Sequence, residues 1–479
     1  MSTHETTALV GATLIDGRGG PPVEDAVIVI RGDRIAAVGD RRTVEIDPTA
    51  TVVHLDGHFV LPGLIDVHVH YFEWMGDLFL VHGVTTVKDV GNDLEWIAST
   101  RDQIEAGTAR GPRIYFTGNG LDTPPPRRDH FIGLENADMA RRTVRLLHEG
   151  GATAIKIRET MTPDLLRPVA DEAHRLGIKV TGHLRSMGAA AAADAGIDGL
   201  EHASGLVQST LDSWLRIDLD TLEKADIYAK YVAERKSFSY ISPSRGDALV
   251  RDLAQRDVAL IPTMSGWWRM ASPRRDQFRD EDAQYAADPS LAYVPEDALA
   301  VWRTSRLYEI TDVDDLERLK IGFDIVQHLL RLHRSEGGRV LGGSDTFISV
   351  PGVSTQRELL FFVDAGFSPL DAITMCTLDN AVFMGADHEI GSVEPGKLAD
   401  LVVLDADPLA SIDNIGRVAA VYRGGTAIDL GAAADPLMPI PRPEMVRPLW
   451  VERRLLDDGY RFTQAPFEQA VDEGGGGCC

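Results

Sequence analysis

The segment LPGLIDVHVH, residues 61–70, is a short apolar stretch that ends in two histidines. A Pro-Gly turn introduces it, and its run of aliphatic residues is typical of a buried β-strand. In an extended chain His68 and His70 point to one face, while Val67 and Val69 point to the other, toward the helices of a barrel. We therefore predict a buried strand that delivers two imidazoles to one side of its carboxyl end.

Seven further segments share this character, each with polar residues at its end. They are TTVKDVG (85–91), RIYFTG (113–118), AIKI (154–157), KVTGH (179–183), GLEHA (199–203), ALIPTM (259–264) and RVLGGSD (339–345). Helical patterns separate most of them, for example over residues 137–151 and 162–177. Eight alternations of strand and helix predict an α/β fold, a (β/α)8 TIM barrel. A doubly wound sheet is the alternative, but the sequence lacks its Gly-rich phosphate turn after the first strand.

The two ends of the chain have a different residue pattern from this central region. Short β-branched segments separated by Gly, Asp and Pro turns fill residues 1–62, and similar segments return in 386–430. We predict a small β-sandwich domain built from both ends, with a barrel of residues 63–385 inserted between its halves. Residues 431–479 are expected to form an extension or tail. The long segment 205–258 is expected to cover the mouth of the barrel as a lid or interface.

Composition and charge exclude several classes of protein. The 479 residues are 44% hydrophobic and 25% charged, which is normal for a folded globular chain. The net charge of −25 disfavours nucleic acid and anionic membranes as partners. Since no apolar run suits a membrane helix and the first residues are too polar for a signal peptide, we expect a cytoplasmic protein. Only Cys376, Cys478 and Cys479 occur, so any metal must have nitrogen and oxygen ligands.

The polar residues at the strand ends are the candidate site, because barrel enzymes place their active sites at that end. Six side chains fall there: His68, His70, Lys156, His183, His202 and Asp345. Each alone has an ordinary explanation, since a buried histidine is often only hydrogen-bonded and an aspartate often caps a helix. Four imidazoles, a carboxylate and a lysine converging on one lumen instead favour a divalent metal site. A lysine in an apolar interior readily loses its charge and can then take up CO2 as a carbamate, a ligand able to bridge two metals.

The order of these motifs resembles that of the amidohydrolase superfamily. LPGLIDVHVH, a lysine in the fourth strand, HLRS, LEHA, GSDT and the late SVEPGKLADLVVLDADPL carry the resemblance, which covers about residues 8–425. Within the superfamily the sequence is similar to the imidazolonepropionase-like and Xaa-Pro dipeptidase-like branch. That branch includes ochratoxin amidases and hydrolases of carbamates and phenylureas.

The resemblance implies a site with two divalent metal ions. By position, the more buried ion would be bound by His68, His70 and Asp345, the second by His183 and His202, and the bridge would be carboxylated Lys156. We expect zinc for such ligands, with Co, Mn or Fe as alternatives. The resemblance further implies a bridging hydroxide that attacks the scissile carbonyl, with Asp345 taking the proton and passing it to the leaving nitrogen.

Three more residues are candidates for substrate contact. Arg185 and Tyr71 each follow a predicted metal ligand, and an arginine or a phenol suits a substrate carboxylate. His130 lies in the loop after the third strand, where the superfamily commonly has a substrate-contacting histidine, although the usual Gly-Gly-His pattern is absent. Adjacent Trp267 and Trp268 indicate an apolar wall, although core packing explains them equally well.

We therefore expect a metal-dependent amidohydrolase, as a homo-oligomer, that cleaves the C–N bond of a small amide such as a dipeptide or an N-acyl amino acid. Hydrolysis of a cyclic amide, a carbamate or an aryl urea on the same site is the alternative. A catalytically silent structural scaffold is a hypothesis of another class, but such relatives usually lose ligands and all six positions remain here. The terminal GGGGCC resembles the double-cysteine end of prenylated small GTPases, without their polybasic stretch.

Overall fold

The computed structural model describes residues 6–126, 128–211, 227–303, 308, 310, 312–346, 348–443 and 446–462. Its strands are β1 (Thr6–Leu14), β2 (Val23–Arg31), β3 (Arg34–Asp40), β4 (Thr51–His54), β5 (Phe59–Pro62), β6 (Leu64–Val69), β7 (Val84–Asp89), β8 (Arg113–Phe116), β9 (Leu121–Asp122), β10 (Ile132–Gly133), β11 (Ala154–Ile157), β12 (Lys179–Gly182), β13 (Gly199–Glu201), β14 (Ala259–Ile261), β15 (Leu401–Leu404), β16 (Val418–Arg423) and β17 (Thr426–Ala427). Its α-helices are Gly76–Val81, Leu94–Glu105, Ala137–Glu149, Pro163–Arg175, Ala189–Asp194, Leu206–Thr210, Ile227–Ser237, Pro243–Gln255, Met264–Trp267, Arg275–Ala286, Glu296–Arg303, Val313–Ser335, Val353–Asp364, Pro369–Met375, Leu378–Met384 and Trp450–Asp457.

Both ends of the chain contribute to one eight-stranded sheet. Its order is β17-β16-β15-β5-β1-β2-β3, with β4 added beside β1. Because β15 pairs antiparallel with β5, the segment that follows the central region hydrogen-bonds to the segment that precedes it. Leu9 and Val403 lie in one buried apolar cluster of this sheet, and Val10 and Val27 lie in another. The second layer of a β-sandwich and the domain bounds stay predictions.

The central strands are parallel and alternate with helices, as the sequence pattern predicts. They form two sheets, of order β6-β7-β8 and β10-β9-β11-β12-β13-β14. Parallel bridges from Leu260 to Val340 and from Val69 to Thr346 link the last strand of the second sheet, through the segment 340–346, to the first strand of the other. This mixed α/β arrangement is consistent with a (β/α)8 barrel.

The eighth predicted strand differs from expectation, since the segment 339–345 contributes isolated bridges instead of a regular strand. Gly342 and Gly343 let this segment pass very close to its neighbours. A Cβ atom at Gly343 would lie 2.7 Å from the Cβ of His68, and one at Gly342 would collide with Cys376. Glycine allows this close approach but weakens a strand, which explains the irregular backbone.

Phe383, in the helix Leu378–Met384, packs against the parallel strands. Its ring belongs to a buried cluster with Ile65, Val67 and Ile261. Val67 thus lies in a cluster that includes Ala381 and Phe383 of the helix Leu378–Met384. The register of β6 against β7 shifts between Asp66 and Val69, and such an irregularity breaks the alternation of side chains along a strand.

The predicted covering segment 205–258 is helical where it is described, at Leu206–Thr210, Ile227–Ser237 and Pro243–Gln255. Residues 212–226 lie outside the described residues. Gly322 of the long helix Val313–Ser335 lies so close to this segment that a Cβ there would be 2.9 Å from the carbonyl oxygen of Arg235. In the described part of the chain, no helix is both long enough and apolar enough to cross a membrane.

Candidate metal centre and active site

The predicted histidines converge at the carboxyl ends of the parallel strands. The ring of His68 lies 5.6 Å from that of His70 and 4.8 Å from that of His202, and the rings of His202 and His183 are 4.4 Å apart. Asp345 joins them, with Oδ1 at 3.3 Å from His68 Nε2 and 3.4 Å from His70 Nε2. All five side chains are buried. The structure therefore brings four imidazoles and one carboxylate into a single contiguous cluster.

Lys156 adjoins this cluster and forms an ion pair with Glu201, a residue that sequence reasoning missed. Glu201 also accepts a hydrogen bond of 2.8 Å from Thr181 Oγ1, and its Oε1 lies 3.5 Å from His68 Nδ1. Regular alternation would send Glu201 and His202 to opposite faces of their strand. His202 instead has a φ of 60°, so the chain turns and both side chains reach the site.

Three residues of the site share this left-handed backbone: His202 with a φ of 60°, Thr263 with 48° and Asp345 with 54°. The conformation costs a non-glycine residue about 1–3 kcal/mol and is concentrated at functional sites. Neighbouring strand segments hold it in place. The His202 amide donates to the carbonyl of Ile261 (2.7 Å), and the Asp345 amide donates to that of His68 (2.8 Å).

Two neighbours orient the ligand atoms. The indole Nε1–H of Trp267 donates to Asp345 Oδ2 at 2.5 Å, and His202 Nδ1 lies 2.7 Å from Thr263 Oγ1. The Thr263 hydroxyl donates to the carbonyl of Pro262, so its oxygen accepts the Nδ1–H of His202. This assignment leaves His202 Nε2 with its lone pair for a ligand. At least one residue of the tandem Trp267–Trp268 pair thus has a polar function beside its packing.

Burial keeps the imidazoles neutral. It lowers the pKa of His68 to about 4, with a further contribution from the charge of Lys156, and that of His70 to about 3. The pKa values of His183 and His202 are also lowered, chiefly by burial. Burial alone would raise the pKa of Asp345, but the surrounding imidazoles hold it well below its usual range. Neutral imidazole and ionised carboxylate are the forms that bind metals.

The donor set fits divalent metal ions. Neither ring nitrogen of His183 has a hydrogen-bond partner among the described residues, although buried polar atoms normally have one. Ligand atoms of His68, His70 and Asp345 lie within 4.8 Å of one another, and the same holds for His68, Glu201 and His202. Nitrogen and oxygen donors at this spacing are typical of metals of the zinc and manganese group.

Arg185, predicted to contact substrate, is already engaged by carboxylates. Its Nη1 donates to Glu159 Oε2 at 2.8 Å, and its Nη2 lies 3.7 Å from Glu234 Oε2. Glu234 and the fully buried Arg235, which lies over the ring of Trp268, come from the helix Ile227–Ser237. The segment predicted to cover the barrel mouth thus places two buried charges beside the cluster, and no spacing in the sequence indicated them.

The other two predicted substrate contacts, His130 and Tyr71, lie in different surroundings. His130 is mostly buried in its loop, where Nδ1 lies 2.9 Å from Asp129 Oδ1 and the ring meets that of Phe131 edge-on. Tyr71 packs away from the imidazoles: its ring stacks on Phe79, and its hydroxyl lies beside the backbone of Gly76. The role of Tyr71 as a substrate contact stays a prediction.

Comparison with known proteins gives one family match and many similar folds. Residues 326–428 match the amidohydrolase family. Adenine deaminase of Methanococcoides burtonii is 42% identical over 53 residues, which is 11% of this chain and 9% of that protein. The chain thus spans only about a tenth of that curated relative's length.

The structural similarity extends much further. A candidate prolidase from Bifidobacterium longum shares 27% identity and a TM-score of 0.65 over 95% of this chain and 99% of its own. Molinate hydrolase shares the fold at 22% identity, with a TM-score of 0.61 over 93% of this chain and 100% of its own. The family match over residues 326–428, the fold shared over nearly the whole chain and the histidine cluster at the strand ends make this chain similar to proteins of the amidohydrolase family.

Proposed function

We propose that the protein is a metal-dependent hydrolase that cleaves the C–N bond of a small amide, a dipeptide or an N-acyl amino acid. One observation carries the proposal: four buried neutral imidazoles and the ionised Asp345 meet at the carboxyl ends of the parallel strands. Keeping so many polar groups out of water is costly unless a ligand satisfies them. The similarity to a candidate prolidase supports a C–N substrate.

In this proposal the residues divide into two ligand groups. His68, His70 and Asp345 would hold one divalent ion, zinc in the first instance. His183 and His202 would hold a second, and Lys156, as a carbamate, would supply a ligand to both. When bound, such ions lower the pKa of water and polarise a carbonyl oxygen.

The chain's own groups perform the proton transfers. Asp345 takes a proton from the attacking water and delivers it to the leaving nitrogen, as a general base and then a general acid. Its Oδ2 is held by the Trp267 indole, so Oδ1 is the atom directed to His68 and His70. The cluster is buried, which excludes bulk water and strengthens each electrostatic contact.

The test combines metal analysis with hydrolysis of a panel of a dipeptide, an N-acyl amino acid, a cyclic amide, an aryl carbamate and an aryl urea. We expect two ions per chain and fastest turnover of the first two substrates. Lys156→Ala should abolish activity, and short carboxylic acids should partly restore it. Lys179→Ala is the matched control, because Lys179 is a partly exposed lysine on the adjacent strand that pairs with Asp198.

Each other outcome has a definite meaning. One ion per chain would remove the bridging role of Lys156. Preference for the cyclic amide, the carbamate or the urea would replace the proposed substrate class. A chain that binds metal stoichiometrically and hydrolyses nothing in the panel would support the structural scaffold instead.

A further inference from the structure

The described part of the C-terminal extension, residues 431–443 and 446–462, begins along the helix Leu94–Glu105 and the segment that follows this helix. It is fixed by several backbone hydrogen bonds: the carbonyl of Leu437 accepts from the Arg110 amide (2.7 Å), and that of Ile440 accepts from Trp96 Nε1 (3.0 Å). The Ile440 amide in turn donates to Gln103 Oε1 at 3.0 Å. The extension is therefore a docked part of the molecule, although the family match ends at residue 428.

This docking places Arg442 at the carboxyl ends of the first two parallel strands. Its Nη1 donates to Asn92 Oδ1 at 2.9 Å, and its guanidinium lies over the ring of Phe72, 5.1 Å from the centroid. Phe72 comes two residues after His70. Asn92 itself donates to the carbonyl of Tyr71 at 3.0 Å, so the anchor of Arg442 is bonded to the chain beside a metal-ligand candidate.

The loop that carries His130 also contacts the C-terminal extension. The Arg447 Nε–H of the extension donates to the carbonyl of Asp129 at 3.1 Å, so the extension touches this loop as well. Burial lowers the pKa of His130, and the positive charges of Arg442 and Arg158 lower it further against the opposing effect of Asp129. His130 thus lies close enough to both arginines for their charges to change its pKa.

Arg442 differs from the other arginines near the cluster in its partner. Arg185 pairs with Glu159 and Glu234, Arg235 lies 3.5 Å from Glu234, and Arg158 lies 3.9 Å from Glu159. Among the described residues, Arg442 has no carboxylate within ion-pair distance, and its hydrogen bond is to a neutral amide oxygen. It is only half-buried, so a substrate can reach it. Its charge acts to lower the pKa values of Asp89 and Asp129, but neither carboxylate lies within ion-pair distance, so the guanidinium can still bind an anionic group.

We propose that the C-terminal extension completes the substrate site and that Arg442 is a specificity-determining residue that binds the free carboxylate of the substrate. The inference rests on the proposed function and deepens it, because it selects acidic over neutral amides. An arginine suits this task, since its planar fork donates two parallel hydrogen bonds to a carboxylate. The simpler alternative is that Arg442 only pins the extension to Asn92.

The affinities of two probes distinguish a carboxylate-binding role of Arg442 from a purely structural role. Calorimetry would compare N-acetyl-L-phenylalanine with its neutral carboxamide on the metal-loaded full chain. We expect the wild type to bind the acid about ten-fold or more tightly than the amide, the ratio typical of one charge-assisted hydrogen bond. Arg442→Gln should remove this preference, Arg442→Lys should keep part of it, and Arg453→Gln should leave it unchanged. Arg453 is a good control because it lies in the same extension and pairs with the exposed Glu95.

Equal weakening of both probes in Arg442→Gln would show a merely structural role and overturn the inference. So would an unchanged preference in that variant, or a wild type that does not distinguish the probes or binds neither. Hydrolysis of the acid is measured in parallel and tests the proposed function separately. A chain that keeps the Arg442-dependent preference but hydrolyses neither probe would refute the proposed function and leave the carboxylate site standing.

Discussion

The buried ion pair of Lys156 and Glu201 gives the sharpest quantitative prediction for the metal-free protein. Both side chains are fully inaccessible to solvent. Removing one partner of such a pair leaves an uncompensated charge in the interior, which costs about 3–5 kcal/mol. Lys156→Met and Glu201→Gln should each lower the free energy of unfolding by that amount. The Gln side chain keeps an acceptor for Thr181, so the loss reports the ion pair.

The double variant should be destabilised by much less than the sum of the two single variants. Neither charge is then left alone, so we expect a coupling free energy of about 3 kcal/mol. Urea unfolding in the presence of a chelator measures all four proteins, with circular dichroism and tryptophan fluorescence followed together. Lys179→Met is the control: its pair with Asp198, at 3.2 Å, is partly exposed and should be worth about 1 kcal/mol or less.

The reasoning would be refuted if the single variants lost less than about 1 kcal/mol, or if the two losses simply added. Either result would mean that Lys156 and Glu201 do not form a buried pair in the metal-free chain. Carboxylation of Lys156 would replace its positive charge by a negative one, so the same pair must break when the proposed bridge forms. The stability of the pair thus sets part of the free energy that metal loading must overcome.

Two further predictions follow from the same cluster. Because burial lowers the pKa of His68 to about 4, well below the ordinary value of 6.5, the unfolded chain binds protons that the folded chain does not between these values. The melting temperature of the metal-free protein should therefore fall as the pH is lowered from about 6.5 toward 4; a flat profile would contradict neutral buried imidazoles. Trp267→Phe removes the indole donor to Asp345 and should lower kcat by about ten-fold or more, as for loss of a hydrogen bond to a charged group, with metal content unchanged by elemental analysis. Lost metal would instead assign Trp267 to metal retention.

Much of the candidate site was predictable because it depends on local pattern and chain order. Strands over 64–69, 154–157 and 179–182 appear where the apolar segments predict them. Parallel strands bring their carboxyl ends to one edge, so residues at those ends meet although they are far apart in sequence. This rule placed His68, His70, His183, His202 and Asp345 together from sequence alone.

The main exception, Glu201, has a physical cause, which is local backbone that departs from regular alternation. The positive φ of His202 brought Glu201 to Lys156. The hydrophobic periodicity of a sequence cannot predict such departures, since it assumes the same backbone conformation at every residue of a strand.

The sequence by itself determined the parallel α/β architecture and the identity of the metal-ligand candidates, because hydrophobic period and strand-end position are properties of short segments. Only the tertiary structure decided which charges surround them: Glu201 beside Lys156, Glu234 and Arg235 from a distant helix, and Arg442 from the C-terminal extension. Those contacts join residues separated by tens to hundreds of positions. Packing selects them, and no local pattern encodes them.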